Sequence, residues 1–253
     1  MNLKTPGIVI KEQKINQGDK LLTFLTRDHG VISAYANGSG RPKSRLAPAS
    51  ELFAYSDLML FYHRDRYIVD DADIIEIFFE IRSDIEKLAF ASYCAELTAS
   101  LSPTSEDSAE FLRLLLNTLH LTAKNKLPVS VLKPIFELRS LSISGFLPDL
   151  VACKGCGEYL GDEMLFSPLE GALSCGACRK NEDMLSTWIP LSEGVLSAMR
   201  HIVYSDFEKL FSFRLNRAEH PLLMDCAEQY MLAQTERTYH SLEFFRSVFQ
   251  FQD

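Results

Sequence analysis

The amino-acid sequence predicts an α+β fold, with a small β-barrel or β-sandwich first and a helical part after it. Residues 1–76 hold short apolar or alternating runs separated by turn-forming residues, a pattern typical of strands. From residue 77 the apolar residues recur at helical spacing, and a cysteine-bearing segment interrupts that spacing. We therefore predict two domains, residues 1–76 and 77–253, the second carrying an insert at about 149–181.

Five strands are predicted in the first domain, because Gly, Asp and Asn mark the turns between them. The predicted strands are residues 7–15, 20–26, 30–36, 52–62 and 66–74. The segment 38–44, between the third and fourth strands, reads as a loop from its Gly, Ser and Pro content. The spacing of the strands does not choose between a barrel and a sandwich.

The second domain shows helical spacing of apolar residues on both sides of the insert. One predicted helix starts at Ser105, with Glu106 and Asp107 in its first turn, where acidic side chains suit the helix dipole. Another ends at Gly145, a typical residue after a helix C-terminus. The helical segments are residues 77–101, 105–121, 131–143, 192–204, 221–234 and 241–249.

The charge is distributed unevenly along the chain. The net charge of −8 argues against a nucleic-acid binder when the chain is taken whole. Residues 1–69, however, carry 10 basic against 6 acidic side chains, a net +4, whereas the remainder carries −12. Such asymmetry favours a polyanion-binding part at the N-terminal end. The sequence shows no secretory or membrane-spanning pattern, so we expect a cytoplasmic protein whose cysteines are thiols or metal ligands.

Four cysteines form the strongest motif. Cys153, Cys156, Cys175 and Cys178 follow the pattern C-x2-C-x18-C-x2-C, which is typical of zinc sites. Two short turns would supply four sulfur ligands and close a tetrahedral shell, so we predict one structural Zn²⁺ per chain with no open position for catalysis. Free thiols and a redox-active dithiol are the alternatives. Cys94 and Cys226 fall on apolar helix faces, and we predict that they are packed in the core.

The loop between the third and fourth strands carries a cluster of cations. Glycines there allow close approach of the backbone, Pro42 stiffens the loop, and Arg and Lys neutralise phosphates. With Tyr35, Phe53 and Tyr55 nearby, the arrangement is typical of single-stranded nucleic-acid binding, and a solvated surface loop is the alternative. The candidate DNA-binding residues are Arg41, Lys43 and Arg45, followed by Lys11, Lys14, Arg64 and Arg66.

A second basic cluster lies in the otherwise acidic helical domain. We predict that it receives an acidic peptide, with Leu127, Val131 and Ile135 supplying an apolar groove. The candidate partner-binding residues are Lys124, Lys126, Lys133 and Arg139. No motif for nucleophilic, metal-hydrolase or nucleotide-dependent catalysis is complete in the sequence, so we do not expect an enzyme.

Several ordered segments resemble the RecO family of bacterial recombination mediators. In the first domain they are GIVIK, DKLLTFLTRDHG and RPKSRL, at residues 7–11, 19–30 and 41–46. In the second they are FELR at 136–139, GFLP at 145–148, ER at 236–237 and SLEF at 241–244. The resemblance covers the whole chain.

The resemblance implies an OB-fold barrel joined to a helical domain with a four-cysteine zinc knuckle, in which the four cysteines match the family's zinc positions. It implies a non-catalytic, cytoplasmic and nucleoid-associated DNA repair protein that binds single- and double-stranded DNA and anneals complementary strands. RecR and single-stranded-DNA-binding protein are the implied partners, and RecA is loaded with their help during gap repair. The alternative is a zinc-ribbon protein-interaction scaffold that does not bind DNA directly.

Overall fold

The structure is a computed structural model that describes residues 2–41, 43–103, 108–179 and 187–249. Two compact units divide the chain: Met1–Lys126 with Tyr239–Gln252, and Leu127–Thr238. The predicted boundary between residues 76 and 77 lies at the end of the barrel, whereas the compact units divide the chain after Lys126. Among the described residues, no helix has the length and apolar character needed to span a membrane.

The first unit begins with a closed five-stranded barrel in the order β1-β2-β3-β5-β4, which is the OB-like architecture that was expected. A 3-10 helix at Pro48–Ser50 lies in the connection between β3 and β4. The strands are β1 (Asn2–Lys14), β2 (Lys20–Thr26), β3 (Val31–Ala36), β4 (Ala54–His63) and β5 (Arg66–Ile77).

Alternation of buried and outward positions builds the barrel core. In β3 the buried residues are Ile32, Ala34 and Ala36, and the residues between them point outward. Gly7 in β1 leaves little space for a side chain, because a Cβ there would lie 2.8 Å from Leu58 Cδ1 and 3.2 Å from the carbonyl oxygen of Leu25. The core also contains Val9, Leu22, Phe24, Ala54, Leu58, Leu60 and Val69.

Helices complete the first unit: α1 (Phe79–Arg82), α2 (Ile85–Leu101), α3 (Ala109–Ala123) and α8 (His240–Val248). The Asp84 carboxylate caps α2 by accepting hydrogen bonds from the N–H groups of Glu86 and Lys87. The C-terminal α8 packs on α2, where the rings of Phe90 and Phe245 lie 5.9 Å apart. The predicted helix start at Ser105, with Glu106 and Asp107, lies outside the described residues.

The second unit combines helices with a four-stranded sheet in the order β6-β8-β7-β9. The strands are β6 (Asp149–Cys153), β7 (Met164–Ser167), β8 (Ala172–Cys175) and β9 (Ile189–Leu191). The helices are α4 (Val129–Ile143), α5 (Gly176–Arg179), α6 (Glu193–Tyr204) and α7 (His220–Thr235). The four cysteines lie on and beside this sheet, in the inserted region that the sequence predicts: Cys153 ends β6, Cys156 is in the turn after it, Cys175 ends β8 and Cys178 is in α5. Residues 180 and 181 of that region lie outside the described residues.

Candidate functional site

The outward face of the barrel carries a row of apolar and aromatic side chains. The strand register places Leu21 of β2 beside Tyr35 of β3, Tyr35 beside Ile68 of β5, and Ile68 beside Phe61 of β4. Because side chains alternate along a strand, these four residues share the face opposite the barrel core. Phe61 is 41% exposed and Tyr35 is half-buried, so both rings are accessible on this surface.

Cations lie beside this row at the β4–β5 turn and at Lys11 of β1, whereas Lys14 is paired in register with the buried Lys20 and so has the opposite parity on the strand. The Arg66 guanidinium lies 5.3 Å from the centroid of the Tyr35 ring, within cation–π range. Arg64 occupies the turn itself with a φ of 48°, and its side chain is exposed. Lys11 and Lys14 are exposed on β1, and Lys11 is paired in register with Thr23 of β2.

The loop at residues 38–45, called the basic loop below, is held in place by hydrogen bonds that it donates to the β1–β2 turn. Gly40 N–H donates to the carbonyl oxygen of Gly18 at 3.0 Å, and Gly38 N–H donates to the Asp19 carboxylate at 2.7 Å. The bond from Gly38 is the main cause that lowers the pKa of Asp19, followed by a bond from Asn16, while the Arg41 charge adds to the effect. The backbone leading into the predicted DNA-binding loop is therefore fixed by a carboxylate that stays ionised.

Most of the candidate DNA-binding cations make no ion pair with a carboxylate of the described residues, although the Asp19 carboxylate is close enough to Arg41 for their charges to interact. Arg45 is the exception, since its guanidinium lies 3.0 Å from the Asp71 carboxylate, although the pair is solvent-exposed. Within the described ranges, ion-pair contacts with carboxylates are absent for Lys11, Lys14, Arg41, Lys43, Arg64 and Arg66. Exposed cations that make no such ion pair are available for phosphate contacts. Pro42, which was predicted to stiffen the loop, lies outside the described residues.

Of the three aromatic residues expected beside the loop, Phe53 is placed differently from the prediction, whereas Tyr35 and Tyr55 are only half-buried. Phe53 is fully buried and holds a left-handed backbone with a φ of 64°, so it presents no ring to a ligand. Tyr55 lies on β4 with its hydroxyl partly desolvated, which raises its pKa. The sequence reasoning missed Phe61 and His63, whose rings stack at 5.9 Å; the outward parity of β4 is the signal that could have found them.

Lys20 is a cation of the barrel that was not singled out, and it is buried rather than available to a ligand. Its ammonium lies 3.1 Å from Glu12 and 3.2 Å from Glu51, and it donates to the carbonyl oxygen of Ser50. Arg82 also pairs with Glu51, at 2.8 Å. These contacts fix the connection between β3 and β4, because they join it to β1, β2 and α1.

The four cysteines converge on a single point. The sulfur atoms of Cys153, Cys156, Cys175 and Cys178 all lie within 4.8 Å of one another, and the Cys156 and Cys175 sulfurs are 3.7 Å apart. Sulfur atoms at the corners of a tetrahedron around one metal ion have comparable separations, and four thiolates are a donor set that fits a metal. A Cβ at Gly155 would lie 3.0 Å from the Cys178 sulfur, so this turn needs glycine to bring the two pairs together.

Electrostatics at the cluster favour one charged sulfur in the absence of an added cation. Burial opposes ionisation of Cys153, but hydrogen bonds from the N–H groups of residues 156, 175 and 155 lower its pKa to about 6. Cys178 has its pKa raised to about 12, chiefly by the sulfur of Cys175 and then by those of Cys156 and Cys153. A divalent cation would allow all four thiols to ionise, because its charge stabilises the four thiolates together.

Arg200 of α6 attaches the cysteine-bearing sheet to the helices of the second unit. Its guanidinium donates to the carbonyl oxygens of Leu150, Val151 and Tyr159 at 2.7, 2.9 and 2.8 Å. The same group lies 3.8 Å from the centroid of the Tyr159 ring. Cys94 and Cys226 are buried, as the sequence predicts, and take no part in the cluster.

The four candidate partner-binding cations do not form one exposed cluster. Lys124 and Lys126 are exposed in the first unit, and Lys124 pairs with Glu80 at 2.6 Å. Arg139, in the second unit, is half-buried and donates to the carbonyl oxygens of Val203 and Ser205. Its guanidinium therefore holds two chain segments within its own unit.

Lys133 departs most from the prediction, because it is fully buried. Its ammonium lies 2.7 Å from the Glu137 carboxylate on the same helix and 2.7 Å from Glu228 on α7. Val131 and Ile135, which were expected to line an open groove, are buried in the core. The helix α4 is covered on nearly all sides, so its lysine neutralises internal carboxylates and does not face a partner.

Comparison with known proteins gives matches over both halves of the chain. The family model for the N-terminal part of recombination protein O matches residues 1–78, and the model for its C-terminal part matches residues 82–243. A DNA repair protein RecO of Acetivibrio thermocellus is 34% identical over 247 residues, 97% of each chain. A second, from Alkaliphilus metalliredigens, is 30% identical over 98% of this chain and 100% of the relative. A third, from Symbiobacterium thermophilum, is 32% identical over 96% of each.

Proposed function

Because this chain belongs to the RecO family of DNA repair proteins, we propose that it is a recombination mediator that binds DNA through its barrel. It binds single- and double-stranded DNA, anneals complementary strands, and acts with RecR to load RecA on gaps coated by single-stranded-DNA-binding protein. None of these steps needs an acid, a base or a nucleophile from the protein.

One observation carries this proposal: a closed OB-like barrel bears both an outward row of apolar and aromatic side chains and exposed cations that, apart from Arg45, make no ion pair with a carboxylate of the described residues. Arg64 and Arg66 line a cavity together with Tyr35, and the Arg41 side chain lies beside Gly18 in the β1–β2 turn. Single-stranded DNA is bound by such surfaces because cations neutralise its phosphates while bases stack on aromatic side chains. Local positive charge attracts DNA even though the net charge of the chain is −8, since exposed charges beyond about 8–10 Å are screened at physiological salt.

Annealing follows from neutralisation of charge. Two complementary strands repel each other through their phosphates, and cations that contact both backbones lower that repulsion and raise the local strand concentration. Contacts that go mainly to phosphates leave base edges free to pair. The loop residues Arg41, Lys43 and Arg45 are the first candidates for these contacts, followed by Lys11, Lys14, Arg64 and Arg66.

The metal that the cysteine cluster would hold is zinc. Cys153, Cys156, Cys175 and Cys178 supply four sulfur donors, which is the composition of a structural zinc site. A bound Zn²⁺ with four thiolates has no open position, so it would stabilise the sheet and would not activate water. The residues of this chain that support the cluster are Gly155, which allows the close turn, and Arg200, which attaches β6 to α6.

The partner-binding part of the proposal rests on fewer residues than the sequence offered. Lys124 and Lys126 are exposed and remain candidates for contact with the acidic tail of single-stranded-DNA-binding protein. Lys133 is excluded from an exposed site by its burial, and Arg139 is engaged with backbone carbonyls.

A second candidate function is a zinc-ribbon scaffold that binds proteins and not DNA. Large apolar side chains are exposed on and beside the cysteine-bearing sheet: Val151, Tyr159, Leu160 and Leu169. Exposed apolar residues at this density are typical of protein-interaction surfaces. This alternative predicts that DNA binding, if any, is insensitive to the barrel cations.

A strand-annealing assay tests the proposed function. Two complementary oligonucleotides, one with a donor and the other with an acceptor fluorophore, are mixed with and without the protein. The oligonucleotides are used either bare or coated with single-stranded-DNA-binding protein. We expect the chain to accelerate annealing of both, and reversal of charge at Arg41, Lys43 and Arg45 to reduce the acceleration. Annealing at the protein-free rate, together with no detectable binding to either strand, would overturn the proposal in favour of the scaffold.

A further inference from the structure

A cavity of about 400 Å³ opens on the barrel where β3 ends and β5 begins. Its volume lies in the range of small-ligand sites. Both strands contribute to it, as do the β4–β5 turn and the first residue after β3. The residues that line it are Tyr35, Asn37, His63, Arg64, Arg66 and Ile68.

The lining combines a flat stacking surface with cations and an apolar wall. The Arg66 guanidinium lies over the Tyr35 ring, 5.3 Å from its centroid, and these two groups are called the Tyr35–Arg66 layer below. Nucleobases stack on both aromatic rings and arginine planes, so this layer presents a surface that any base can use. Ile68 supplies apolar contact, whereas Asn37 and His63 bring hydrogen-bonding groups to the cavity.

The backbone beside the cavity adopts a conformation that its residues rarely take. Arg64 and Asp65 join β4 to β5 as a two-residue turn, with φ values of 48° and 58°. Two-residue turns with both φ values positive favour Asn-Gly or Asp-Gly, since other side chains are strained there. A hydrogen bond from the Tyr62 hydroxyl to Asp65, 3.2 Å long, stabilises the turn. Residues kept in strained conformations cluster at functional sites, and here the strained residue is a cation that lines the cavity.

We propose that this cavity binds one unstacked nucleobase of single-stranded DNA, with the Tyr35–Arg66 layer as its stacking partner and Arg64 in contact with an adjacent phosphate. The proposal rests on the proposed function, because it specifies the ligand of the same barrel surface. A base inside a duplex is already stacked and paired, so the cavity gives the barrel a preference for single strands. The basic loop, by contrast, contacts phosphates that both forms of DNA share.

Comparison of two strands of equal length tests the proposal. One is oligothymidylate, and the other carries the same phosphates on abasic sugars; affinity is measured by fluorescence anisotropy with the full chain. We expect the wild type to bind oligothymidylate about tenfold more tightly than the abasic strand, in line with the contribution of one stacked base. Tyr35→Leu should remove most of this difference while leaving the affinity for the abasic strand unchanged.

The matched control is Tyr159→Leu, which removes another exposed tyrosine ring from the second unit and should leave both affinities unchanged. Equal affinities of the wild type for the two strands, or a Tyr35→Leu variant that keeps the preference, would overturn the inference. The proposed function would survive that result if the abasic strand were still bound in a salt-dependent manner. If the wild type bound neither strand, that result would instead contradict the proposed function itself.

A second variant separates the role of Arg64 from the stability of the fold. Arg64→Asn gives the first turn position a residue that accepts a positive φ and keeps the Asp65 carboxylate that accepts the Tyr62 hydrogen bond, so we expect an equal or higher melting temperature. The same change removes the phosphate contact, so affinity for both strands should fall several-fold. Unchanged affinity would remove Arg64 from the site, and a lower melting temperature would contradict the assignment of strain to this turn.

Discussion

The barrel surface and the cysteine cluster are candidate sites built on opposite principles. The cluster closes on itself, since four sulfurs lie within 4.8 Å of one another and leave no room for a larger ligand. The barrel surface is open, because its candidate DNA-binding cations are exposed and, apart from Arg45, make no ion pair with a carboxylate in the described part of the chain. The first arrangement fits a structural ion, and the second fits a long anionic polymer.

The two regions also differ in how their geometry is fixed. Two C-x2-C turns set the cluster, each within a few residues of sequence. The barrel surface instead depends on contacts between distant segments, such as the bond from Gly40 N–H to the Gly18 carbonyl and the pairing of Tyr35 with Ile68. A site of the first kind can be recognised from spacing alone, whereas a site of the second kind appears only when the strands are assembled.

The largest expected effect is loss of the metal. In Cys175→Ser the cluster has three thiolates, so the zinc content measured by elemental analysis should fall from about one per chain to near zero. The sheet β6–β9 should then be destabilised, because structural zinc contributes on the order of 10 kcal/mol of apparent binding free energy. Cys226→Ala, which removes a buried cysteine from the same unit, should keep its zinc. A wild type without metal, or a Cys175→Ser variant that retains it, would contradict the metal site.

A smaller but clear effect is expected from the buried lysine of the second unit. Lys133→Met leaves the carboxylates of Glu137 and Glu228 without their shared cation, and breaking a buried pair in this way costs about 3–5 kcal/mol. The free energy of unfolding can be followed in urea by the fluorescence of Trp188, the one tryptophan of the chain. Lys126→Met, at an exposed position, should change it by less than about 0.5 kcal/mol. Equal free energies of unfolding for Lys133→Met and Lys126→Met would show that Lys133 contributes no more to stability than a surface cation.

A finer test asks whether Asp19 acts on DNA binding through charge or through position. Charge alone predicts that Asp19→Asn strengthens binding, since a negative group near Arg41 is removed. We expect weaker binding instead, because the carboxylate anchors Gly38 at the start of the basic loop. Asp73→Asn removes an exposed carboxylate from the same barrel and should leave the affinity unchanged or slightly higher. Stronger DNA binding by both Asp19→Asn and Asp73→Asn would show that the bond from Gly38 to Asp19 does not contribute to DNA binding.

The pH dependence of the bond between Asp19 and Gly38 follows from the direction in which the pKa of Asp19 is shifted. The folded-state pKa of Asp19 lies below its usual value of 3.8, so the contribution of the carboxylate is fully present above that value. It is lost only as the pH falls through the lower, folded-state pKa. The difference in affinity between wild type and Asp19→Asn should therefore stay constant from about pH 8 to about pH 5.5.

Much of the fold could be predicted because its signals are local. β2 has the predicted bounds Lys20–Thr26, since turn-forming residues flank both ends. The cysteine spacing predicted the cluster, and the alternation of β3 predicted which of its side chains are buried. The choice of a barrel over a sandwich came from family resemblance and is confirmed by the closed strand order.

What the sequence did not predict depends on tertiary partners. Sequence reasoning places Lys133 at the surface because lysine is usually exposed, yet Glu228, on another helix, provides a buried partner. It also makes Phe53 a ligand-facing ring, yet the structure buries that ring completely just before β4. The row of Tyr35, Ile68 and Phe61 required the register of a parallel pair between β3 and β5, which strand spacing does not encode.

The salt dependence of single-strand affinity tests most directly the claim that the barrel loop binds phosphates. For the wild type, the logarithm of affinity should fall linearly with the logarithm of salt concentration, by about 0.7 per neutralised phosphate. Reversal to Glu at Arg41, Lys43 and Arg45 should weaken binding and reduce the slope by about 2. The same reversal at Lys209, Arg214 and Arg217 of the second unit changes the net charge equally and should leave the slope unchanged. A loop variant with the affinity and slope of the wild type would contradict the account.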